Sequence, residues 1–345
     1  MIAWLAALPG PSRDDFLEGF RYPLVAGVVA LVATLLLTPL IRHWAIKAGA
    51  VDYPTRDERR VHKEPIPRWG GMAIFGGIAL SLAAVLPFAY PHNPFPPYLL
   101  GMGLLATVIV AFGAYDDLKQ YSAKLQLLVL LGVGVAVQFF YNDIGRVQIQ
   151  GMNWPPIGGV DWWEFGWAAI PLTAFYIFVV TKTMDTIDGV DGLAAGIASI
   201  AAGTLAVIAK YEGQPRVALI AAAVAGACVG FLRYNYNPAR IFMGTGGAQL
   251  LGFFLACLSV VGALKTAAAL ALFVPILVFG VPLVDALVVT IRRILARQPI
   301  TQADKRHLHH QLLAKGLTQR QTVVVLYGFA ILLAGVLLLM MKYRA

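Results

Sequence analysis

The sequence has 345 residues, of which 59% are hydrophobic and 13% are charged, and its mean hydropathy is +0.72. Soluble domains carry about 25% charged residues, so this composition excludes a soluble globular protein and indicates an integral membrane protein. The net charge of +9 alone would allow a nucleic-acid partner, but we expect no nucleic-acid binding, because the basic residues are distributed as membrane topology requires.

Apolar segments long enough to cross a bilayer recur along the whole chain. A helix needs about 20 apolar residues to span the membrane, and helices satisfy their own backbone hydrogen bonds in lipid. The sequence therefore predicts an all-α integral membrane protein, a polytopic bundle of about ten transmembrane helices in a single domain over residues 1–345. The predicted spans are roughly 22–42, 70–90, 98–115, 125–141, 165–182, 190–210, 216–233, 247–264, 268–291 and 322–341.

Lys and Arg are distributed unevenly between the loops that join these spans. Nineteen of the 27 lie on one side of the predicted bundle and eight on the other. By the positive-inside rule the richer side is cytoplasmic, and both termini are then outside. We therefore predict a multi-pass protein of the inner (plasma) membrane, with the lipid bilayer as its surroundings and its functional face toward the cytoplasm.

The first polar motif, "RRVHKEPIPRWGG", precedes the second predicted span. Its prolines favour an extended loop, and its paired glycines permit close backbone approach. Basic side chains on the cytoplasmic side suit a phosphate-bearing substrate. The candidate substrate-binding residues here are Arg59, His62, Lys63 and Arg68.

The second motif, "AYDDLKQYSAK", places Asp116 and Asp117 at the end of the third predicted span. A helix C-terminus favours cations over carboxylates, so two adjacent aspartates there need a partner such as a metal ion, a lysine or a protonated substrate. Lys119 and Lys124 supply nearby positive charge, so a purely structural pair is the alternative. Lys124 is also a candidate substrate-binding residue.

The third motif, "KTMDTIDGVDGLAAG", holds three aspartates before a long apolar stretch. Its glycines allow a tight turn, and Asp191 could cap the helix that begins near Leu193. Capping does not account for Asp185 and Asp188. Carboxylates with a glycine-rich turn at a helix N-terminus can hold a divalent cation while free amides face phosphate oxygens. Lys182 either contacts a phosphate or is an ordinary cytoplasmic cation.

The remaining motifs are "RYNYNPARIFMGTGGAQ" and "ADKRHLHHQLLAKG". In the former, Asn235 and Asn237 could bind a base or sugar, or hold the loop. In the latter, histidine and arginine donors suit phosphate groups better than zinc, and an amphipathic cytoplasmic loop is the alternative; the residues concerned are Arg306, His307, His309 and His310. All five motifs fall on the predicted cytoplasmic side, which favours an enzyme over a transporter with mid-membrane polar groups.

Five stretches in this order resemble the polyprenyl-phosphate N-acetylhexosamine-1-phosphate transferases, and in particular the branch that includes the WecA and TagO enzymes, which is related to MraY. They are "RRVHKEPIPRWGG", "AYDD", "IDGVDGLAAG", "NYNPARIFMG" and "DKRHLHHQLLAKGLT", and they extend from about residue 56 to 316. The "HLHH" form followed by "LLAKGL" resembles the WecA/TagO branch more than MraY.

The resemblance implies a reaction in which undecaprenyl (polyprenyl) phosphate attacks the β-phosphate of a UDP-N-acetylhexosamine. UMP leaves, and a lipid-linked pyrophosphoryl sugar, here GlcNAc-1-phosphate on its carrier, initiates a cell-envelope glycopolymer. Mg²⁺ is the implied cofactor, with Mn²⁺ as a substitute, and a homodimer is compatible with the family. The implied catalytic residues are Asp116, Asp117, Asp188, His307, His309 and His310, and the implied substrate-binding residues also include Gly189, Asp191 and Asn235.

Two motifs depart from the family pattern, at three positions, of which Asp185 and Thr245 concern the metal. The family usually has asparagines where this sequence has Lys182 and Asp185, and an aspartate where it has Thr245. We hypothesise that the changes compensate, so that Asp185 and Thr245 are the metal ligands and the site keeps one carboxylate. Two alternatives stay open: an MraY-like phospho-MurNAc-pentapeptide transferase, and a non-catalytic descendant that binds nucleotide-sugar or lipid.

Overall fold

Nine α-helices form the framework of the described part of the chain, which in this computed structural model comprises residues 13–53, 65–154, 161–263 and 312–342. Two short antiparallel hairpins join them, with Val51 opposite Pro67 in one and Gly151 opposite Glu164 in the other. The elements are α1 (Arg13–Ala48), β1 (Val51–Asp52), β2 (Ile66–Pro67), α2 (Gly70–Ala89), α3 (Pro97–Lys119), α4 (Ala123–Ala136), β3 (Gly151–Trp154), β4 (Asp161–Glu164), α5 (Ala169–Ile187), α6 (Leu193–Tyr211), α7 (Pro215–Asn235), α8 (Gly244–Ala263) and α9 (Gln319–Lys342).

Eight of these helices are long and apolar enough to cross a membrane. The prediction of an all-α polytopic membrane protein is therefore confirmed. The predicted span 125–141 corresponds to a shorter apolar helical stretch, Ala123–Phe139. The predicted span 268–291 lies outside the described residues, and the single-domain assignment stays a prediction.

Helix α8 is the core of the described bundle. It packs against α2, α3, α5, α6 and α7, and 94% of Gly244–Val261 is buried inside the protein, against 28% of Gln319–Met340 in α9. Helix α9 packs on α6 and exposes large apolar side chains such as Phe329 and Leu332. The start of the central helix therefore lies deep among its neighbours, whereas α9 is at the periphery.

Helices α1 and α7 approach each other backbone to backbone. A Cβ on Gly226 would lie 1.9 Å from the carbonyl oxygen of Gly27, and a Cβ on Gly230 would lie 2.5 Å from that of Leu31. Between apolar helices in lipid, small residues of this kind allow the close van der Waals packing that drives association. This contact fixes the end of α7, from which the "NYNPARIFMG" segment continues.

Aromatic residues mark the end of the bundle away from the polar motifs. Trp162 and Trp163 on β4 and the nearby Trp167 are exposed, and the guanidinium of Arg146 lies 3.6 Å from the ring centroid of Tyr141. Tryptophan and tyrosine are enriched where a membrane protein meets the lipid headgroups. The two cysteines, Cys228 and Cys257, are buried free thiols.

Candidate active site

The parts of the predicted polar motifs that lie among the described residues meet at one end of the bundle. The C-terminal end of α3 and the N-terminal ends of α6, α8 and α9 are joined there by direct hydrogen bonds, together with the segments before α2 and after α7. Near the C-terminal end of α5, Lys182 donates to Gln126 on α4. Helix α3 continues through Asp116 and Asp117 to Lys119, and α5 continues through Asp185 to Ile187. Both helices extend further than the predicted spans 98–115 and 165–182.

Asp117 is buried at the centre of this end. Its Oδ1 accepts a hydrogen bond from the backbone N–H of Thr245 at 3.2 Å and lies 3.4 Å from Nη1 of Arg68. Its Oδ2 is buried and has no hydrogen-bond partner among the described residues. The carboxylate is pressed against Gly244, where φ is 71° and an added Cβ would lie 2.2 Å from Oδ2. An unsatisfied buried carboxylate oxygen is costly unless a ligand completes it.

Glycines bring the start of α8 to Asp117. A Cβ on Gly113 would lie 2.2 Å from the Cα of Gly246, and a Cβ on Gly71 would lie 2.3 Å from the Cα of Gly247. These contacts leave no room for a side chain on Gly71 or Gly113, so glycine is needed at both positions for α2 and α3 to approach the backbone of α8. Thr245 is thereby held beside Asp117.

Arg68 lies between two buried carboxylates. Its Nη1 faces Asp117, and its Nη2 lies 3.9 Å from Oδ1 of Asp52. Asp52 is on β1, which pairs with β2 immediately before Arg68. The hairpin therefore positions the guanidinium of Arg68 at the site, where the Arg68 side chain is a quarter exposed. This places Arg68 where the sequence predicted a substrate-binding residue, and that role stays a prediction.

Trp69 connects the same segment to the end of α3. Its backbone has φ of 79°, which is rare for a bulky residue and marks local strain. Its indole N–H donates to the carbonyl oxygen of Ala114 at 2.9 Å, and the amides of Gly70 and Gly71 donate to Phe242 and Met243. The strained conformation of Trp69 therefore fixes the position of Arg68 relative to the aspartates at the end of α3.

Asp116 points away from Asp117 into a second set of contacts. Its Oδ1 accepts from the Tyr121 amide at 2.7 Å, and Nε2 of Gln126 lies 3.3 Å from Oδ1 and 3.2 Å from Oδ2. Oε1 of Gln126 in turn accepts from Nζ of Lys182 at 3.1 Å, and Lys182 forms an ion pair with Asp185. Lys182 therefore belongs to this set of polar contacts, and both sequence-based interpretations of it, a phosphate contact or an ordinary cytoplasmic cation, stay predictions.

Asp188 follows the last turn of α5 and faces several charges. Loss of solvation on burial raises the pKa of Asp188 well above its ordinary value, and the negative charge of Asp185 raises it further. The guanidinium of Arg68 acts in the opposite direction, while Asp117 and Asp191 add to the increase. The site thus concentrates negative charge that Arg68, together with the Lys182 paired with Asp185, only partly neutralises, an arrangement that suits a cation or cationic ligand.

Asp191 does not cap α6. The residue before that helix is Gly192, with φ of 80° and no side-chain capping bond. Oδ2 of Asp191 accepts instead from Nδ2 of Asn237 and the amide of Ala239, both at 3.0 Å. Asp191 therefore joins the turn before α6 to the segment after α7. Gly189, which lies in the same turn, is exposed.

The asparagines hold loops in this structure. Asn235 is buried; its Oδ1 accepts from the amide of Gly192 at 3.1 Å and its Nδ2 donates to Ile241 at 3.0 Å. Both polar ends of Asn235 are thus used within the protein, which fits the loop-holding alternative, and its substrate-binding role stays a prediction. Asn237 donates to Gln319 on α9 as well as to Asp191.

Helix α9 reaches the same turn from the other side. The hydroxyl of Tyr327 donates to the carbonyl oxygen of Gly192 at 2.5 Å. Nε of Arg320 donates to the carbonyl oxygen of Asn237 at 3.0 Å. The turn that carries Asp188 and Asp191 is consequently fastened to both α7 and α9.

Several predicted residues do not enter this geometry. Lys124 is exposed at the start of α4. The other predicted site residues lie outside the described residues, namely Arg59, His62, Lys63, Arg306, His307, His309 and His310. Their roles remain predictions.

The described residues suit Mg²⁺ only with help from a substrate. Among them, no group of three His, Cys, Asp or Glu side chains is close enough to hold a metal ion. The donor set is nonetheless all oxygen, and Oδ2 of Asp117 is buried without a partner. Mg²⁺ is commonly bound by one or two carboxylates plus substrate phosphates. The predicted ligand Asp185 is paired with Lys182, and the Thr245 amide is bonded to Asp117.

Four residues of this site were not singled out from the sequence. These residues are Asp52, Trp69, Gln126 and Tyr327, and each has an ion-pair or hydrogen-bond partner 16 or more positions away. Only Trp69 carried a local signal, since it stands between a basic motif and a Gly-Gly pair. Asp52 lies seven residues before the first motif, Gln126 lies two residues after the second, and Tyr327 lies in an apolar span, so none of them belongs to a motif.

Comparisons with known proteins agree on one family. Residues 99–263 match the model of Glycosyl transferase family 4. A Bacillus subtilis protein described as a probable undecaprenyl-phosphate N-acetylglucosaminyl 1-phosphate transferase is 36% identical over 91% of this chain and 84% of its own length. The decaprenyl-phosphate N-acetylglucosaminephosphotransferase of Mycobacterium tuberculosis H37Rv is 34% identical over 88% and 78%. The undecaprenyl-phosphate alpha-N-acetylglucosaminyl 1-phosphate transferase of Escherichia coli K12 is 26% identical over 89% and 82%.

Proposed function

The chain belongs to Glycosyl transferase family 4, among the polyprenyl-phosphate N-acetylglucosaminyl 1-phosphate transferases, and from that premise we propose its reaction. It transfers GlcNAc-1-phosphate from UDP-GlcNAc to undecaprenyl phosphate. An oxygen of the lipid phosphate forms a bond to the β-phosphorus of the nucleotide-sugar, and the bond from that phosphorus to the bridging oxygen of UMP breaks. The products are UMP and a lipid-linked pyrophosphoryl sugar.

The observation that carries this proposal is the joint placement of Asp117, Asp188 and Arg68 at one end of a membrane bundle. Phosphoryl transfer depends mainly on positioning and on neutralising charge. Arg68 supplies a guanidinium that can pair with phosphate oxygens. The two aspartates supply carboxylates for a cation or for the minor protonated form of the lipid phosphate, whose second pKa is about 6.

Mg²⁺ is part of the proposal. When bound, it would neutralise charge on the pyrophosphate oxygens. The unpartnered Oδ2 of Asp117 and the carboxylate of Asp188 are the described groups best suited to hold it. Asp185, a ligand predicted from the sequence, would first have to exchange its ion pair with Lys182. The bond from Thr245, the other predicted ligand, to Asp117 is made by its backbone amide and not by its side-chain oxygen.

The proposal places the site at the cytoplasmic face of the plasma membrane. Nucleotide-sugars are soluble metabolites of the cytoplasm. The side of the bundle that carries the site is richer in Lys and Arg, which favours a cytoplasmic location. The homodimer stays a prediction, which the mass of the purified protein in nanodiscs would measure.

The test uses purified protein in nanodiscs with undecaprenyl phosphate, Mg²⁺ and a panel of UDP-sugars that includes UDP-GlcNAc and UDP-MurNAc-pentapeptide, and it follows UMP release. We expect release with UDP-GlcNAc that requires the lipid phosphate and disappears in Asp188→Asn. Release only with the pentapeptide substrate would support the MraY-like alternative. No release from well-folded wild-type protein, together with binding of nucleotide-sugar, would support the non-catalytic alternative.

A further inference from the structure

Four side chains from three helices form a continuous polar chain beside Asp117. It begins at Asp116 on α3, passes through Gln126 on α4 and reaches Lys182 and Asp185 on α5. Asp116 is buried, whereas the side chain of Lys182 is 40% exposed. The polar chain thus connects a buried candidate catalytic carboxylate with a cation at the surface of the site.

The amide of Gln126 has only one favourable orientation in this polar chain. Its carbonyl oxygen accepts from the ammonium of Lys182, and its NH₂ group donates to the carboxylate of Asp116. Rotating the amide by half a turn would place NH₂ against an ammonium, which has no acceptor, and a carbonyl against a carboxylate, which has no donor. Lys182 therefore determines which end of Gln126 faces Asp116.

Gln126 in turn determines the orientation of the Asp116 carboxylate. Nε2 of Gln126 lies 3.3 Å and 3.2 Å from the two oxygens, so it contacts both, while the Tyr121 amide binds Oδ1 alone. The Tyr121 bond fixes one oxygen, and the Gln126 contact fixes the plane of the group. Without Gln126, the Tyr121 bond would be the one remaining hydrogen bond to the Asp116 carboxylate from the described part of the chain, and the group could rotate about it.

We propose that Gln126 and Lys182 are positioning residues that together orient the carboxylate of Asp116 in the transfer reaction. This inference rests on the proposed function, because Asp116 is taken as a group of the active site. Lys182 acts through Gln126 rather than by binding a substrate phosphate directly. Asp185 keeps the ammonium in place, so Lys182 and Asp185, two of the three residues that depart from the family pattern, act as one neutral pair.

The test is a double-mutant cycle in the rate of UMP release, with Gln126→Met, Lys182→Met and the double variant. Methionine keeps approximate length and removes the polar atoms. Each single change should lower kcat by about 10- to 100-fold, the effect of a misplaced reacting group, with KM for UDP-GlcNAc and for lipid phosphate changed less than about twofold. The double variant should be no slower than the slower single variant, because the two residues act as a unit.

Two further variants test the orientation of the amide. Gln126→Glu keeps an acceptor for Lys182 but places a carboxylate oxygen against Asp116, so it should lose at least as much kcat as Gln126→Met. Lys182→Arg keeps a cation and should recover part of the loss seen in Lys182→Met. Lys119→Met is the matched control, since Lys119 is exposed on the same end of α3 and its loss should leave kcat unchanged.

The proposal would be overturned if the two fold-losses in kcat multiplied in the double variant and Lys182→Met alone raised KM for UDP-GlcNAc. That result would make Lys182 a direct substrate ligand. Thermal melting of each variant in nanodiscs shows whether it is folded. If a methionine variant does not fold, the cycle is run with Gln126→Glu and Lys182→Gln. An inactive wild type would refute the proposed function, whereas an active wild type with additive losses refutes only the positioning role.

Discussion

Asp188 is the residue at which stability and activity are expected to conflict. Burial and the charges of Asp185, Asp117 and Asp191 raise its pKa well above the ordinary value, and Arg68 only partly opposes them. The unfolded pKa is about 3.9. Between that value and the raised folded pKa the folded protein binds more protons than the unfolded chain, so stability falls as pH rises through this window.

Neutralising this carboxylate should therefore stabilise the protein and abolish its activity. At pH 8 in EDTA, Asp188→Asn should melt roughly 2 °C or more above wild type, and the difference should shrink as the pH is lowered toward 4. Its UMP release should fall by about 100-fold or more, as for loss of a positioned catalytic group. Melting curves in nanodiscs across pH measure the first effect. A variant less stable than wild type at pH 8 would contradict the account of charge crowding.

The exchange at Asp185 and Thr245 can also be tested at this scale. Because Asp185 is paired with Lys182, Asp185→Asn should leave the Mg²⁺ concentration for half-maximal activity within about twofold of wild type. Thr245→Asp should lower activity, because it puts a carboxylate beside Asp117. The opposite result is that Asp185→Asn needs far more Mg²⁺ for half-maximal activity, and that adding Thr245→Asp to this variant brings the Mg²⁺ concentration back to the wild-type value. That result would establish the compensation hypothesis and contradict the neutral-pair account.

Individual site residues were predictable where their chemistry was concentrated in sequence. The aspartates of "AYDD" and "IDGVDG" were identified because carboxylates are rare beside apolar spans, and the structure brings Asp117 and Asp188 together. Trp69 lies in one of the motifs, but its role was not predicted, since its φ of 79° and its bond to Ala114 depend on the folded arrangement and not on local sequence. Gln126 acts only through the geometry of three helices, which no spacing encodes.

At the scale of elements, helix α9 fastens the turn that carries the site. Tyr327 donates to Gly192, and Gln319 accepts from Asn237, which also binds Asp191. The hydroxyl of Tyr327 is thus a link between a peripheral helix and the aspartates before α6.

Tyr327→Phe should lower activity more than its cost in stability suggests. Loss of one hydrogen bond lowers the free energy of unfolding by about 1 kcal/mol. Because the turn that carries Asp188 and Asp191 would then be less firmly positioned, kcat should fall by about tenfold. Tyr234→Phe is the matched control: its hydroxyl also donates to a backbone carbonyl, that of Leu35 on α1, so it should lose similar stability and keep its kcat. Equal kcat in both variants would show that α9 does not position the turn.

The limits of the helices show what apolarity can predict. The predicted span 98–115 ends before Asp116, yet α3 runs to Lys119, and α5 runs past Asp185. Hydropathy reports where lipid surrounds the chain, whereas a helix continues into water as long as its backbone bonds are made. The β1–β2 hairpin was not predicted, because each strand has two residues, too few for an alternating pattern.

At the scale of the whole molecule, the number of spans was largely predictable but their arrangement was not. Eight of the predicted spans are present among the described helices, with a ninth as a shorter one. That α8 is the buried core helix could not be inferred, since lipid-facing and protein-facing residues are both apolar. Only the glycines at its start, Gly246 and Gly247, distinguish it, and their role depends on Gly71 and Gly113 far along the chain.

The orientation of the bundle gives a prediction at this scale. Lys119 lies at the site end and Asp143 beside the opposite end; both are exposed, and the native cysteines are buried. In intact cells a membrane-impermeant maleimide should label Asp143→Cys and leave Lys119→Cys unlabelled until the cells are opened. The reverse pattern would place the site outside and contradict a cytoplasmic reaction.

The central claim is that a phosphorylated sugar, and not the sugar alone, moves from nucleotide to lipid at this end of the bundle. The most direct measurement supplies UDP-GlcNAc with radioactive phosphorus at the β-position to protein in nanodiscs that contain undecaprenyl phosphate. The account predicts that the label enters the lipid extract in proportion to UMP released, and that Asp188→Asn abolishes both. Label that stays on the nucleotide while the sugar moves, or no transfer by the folded wild-type protein, would contradict it.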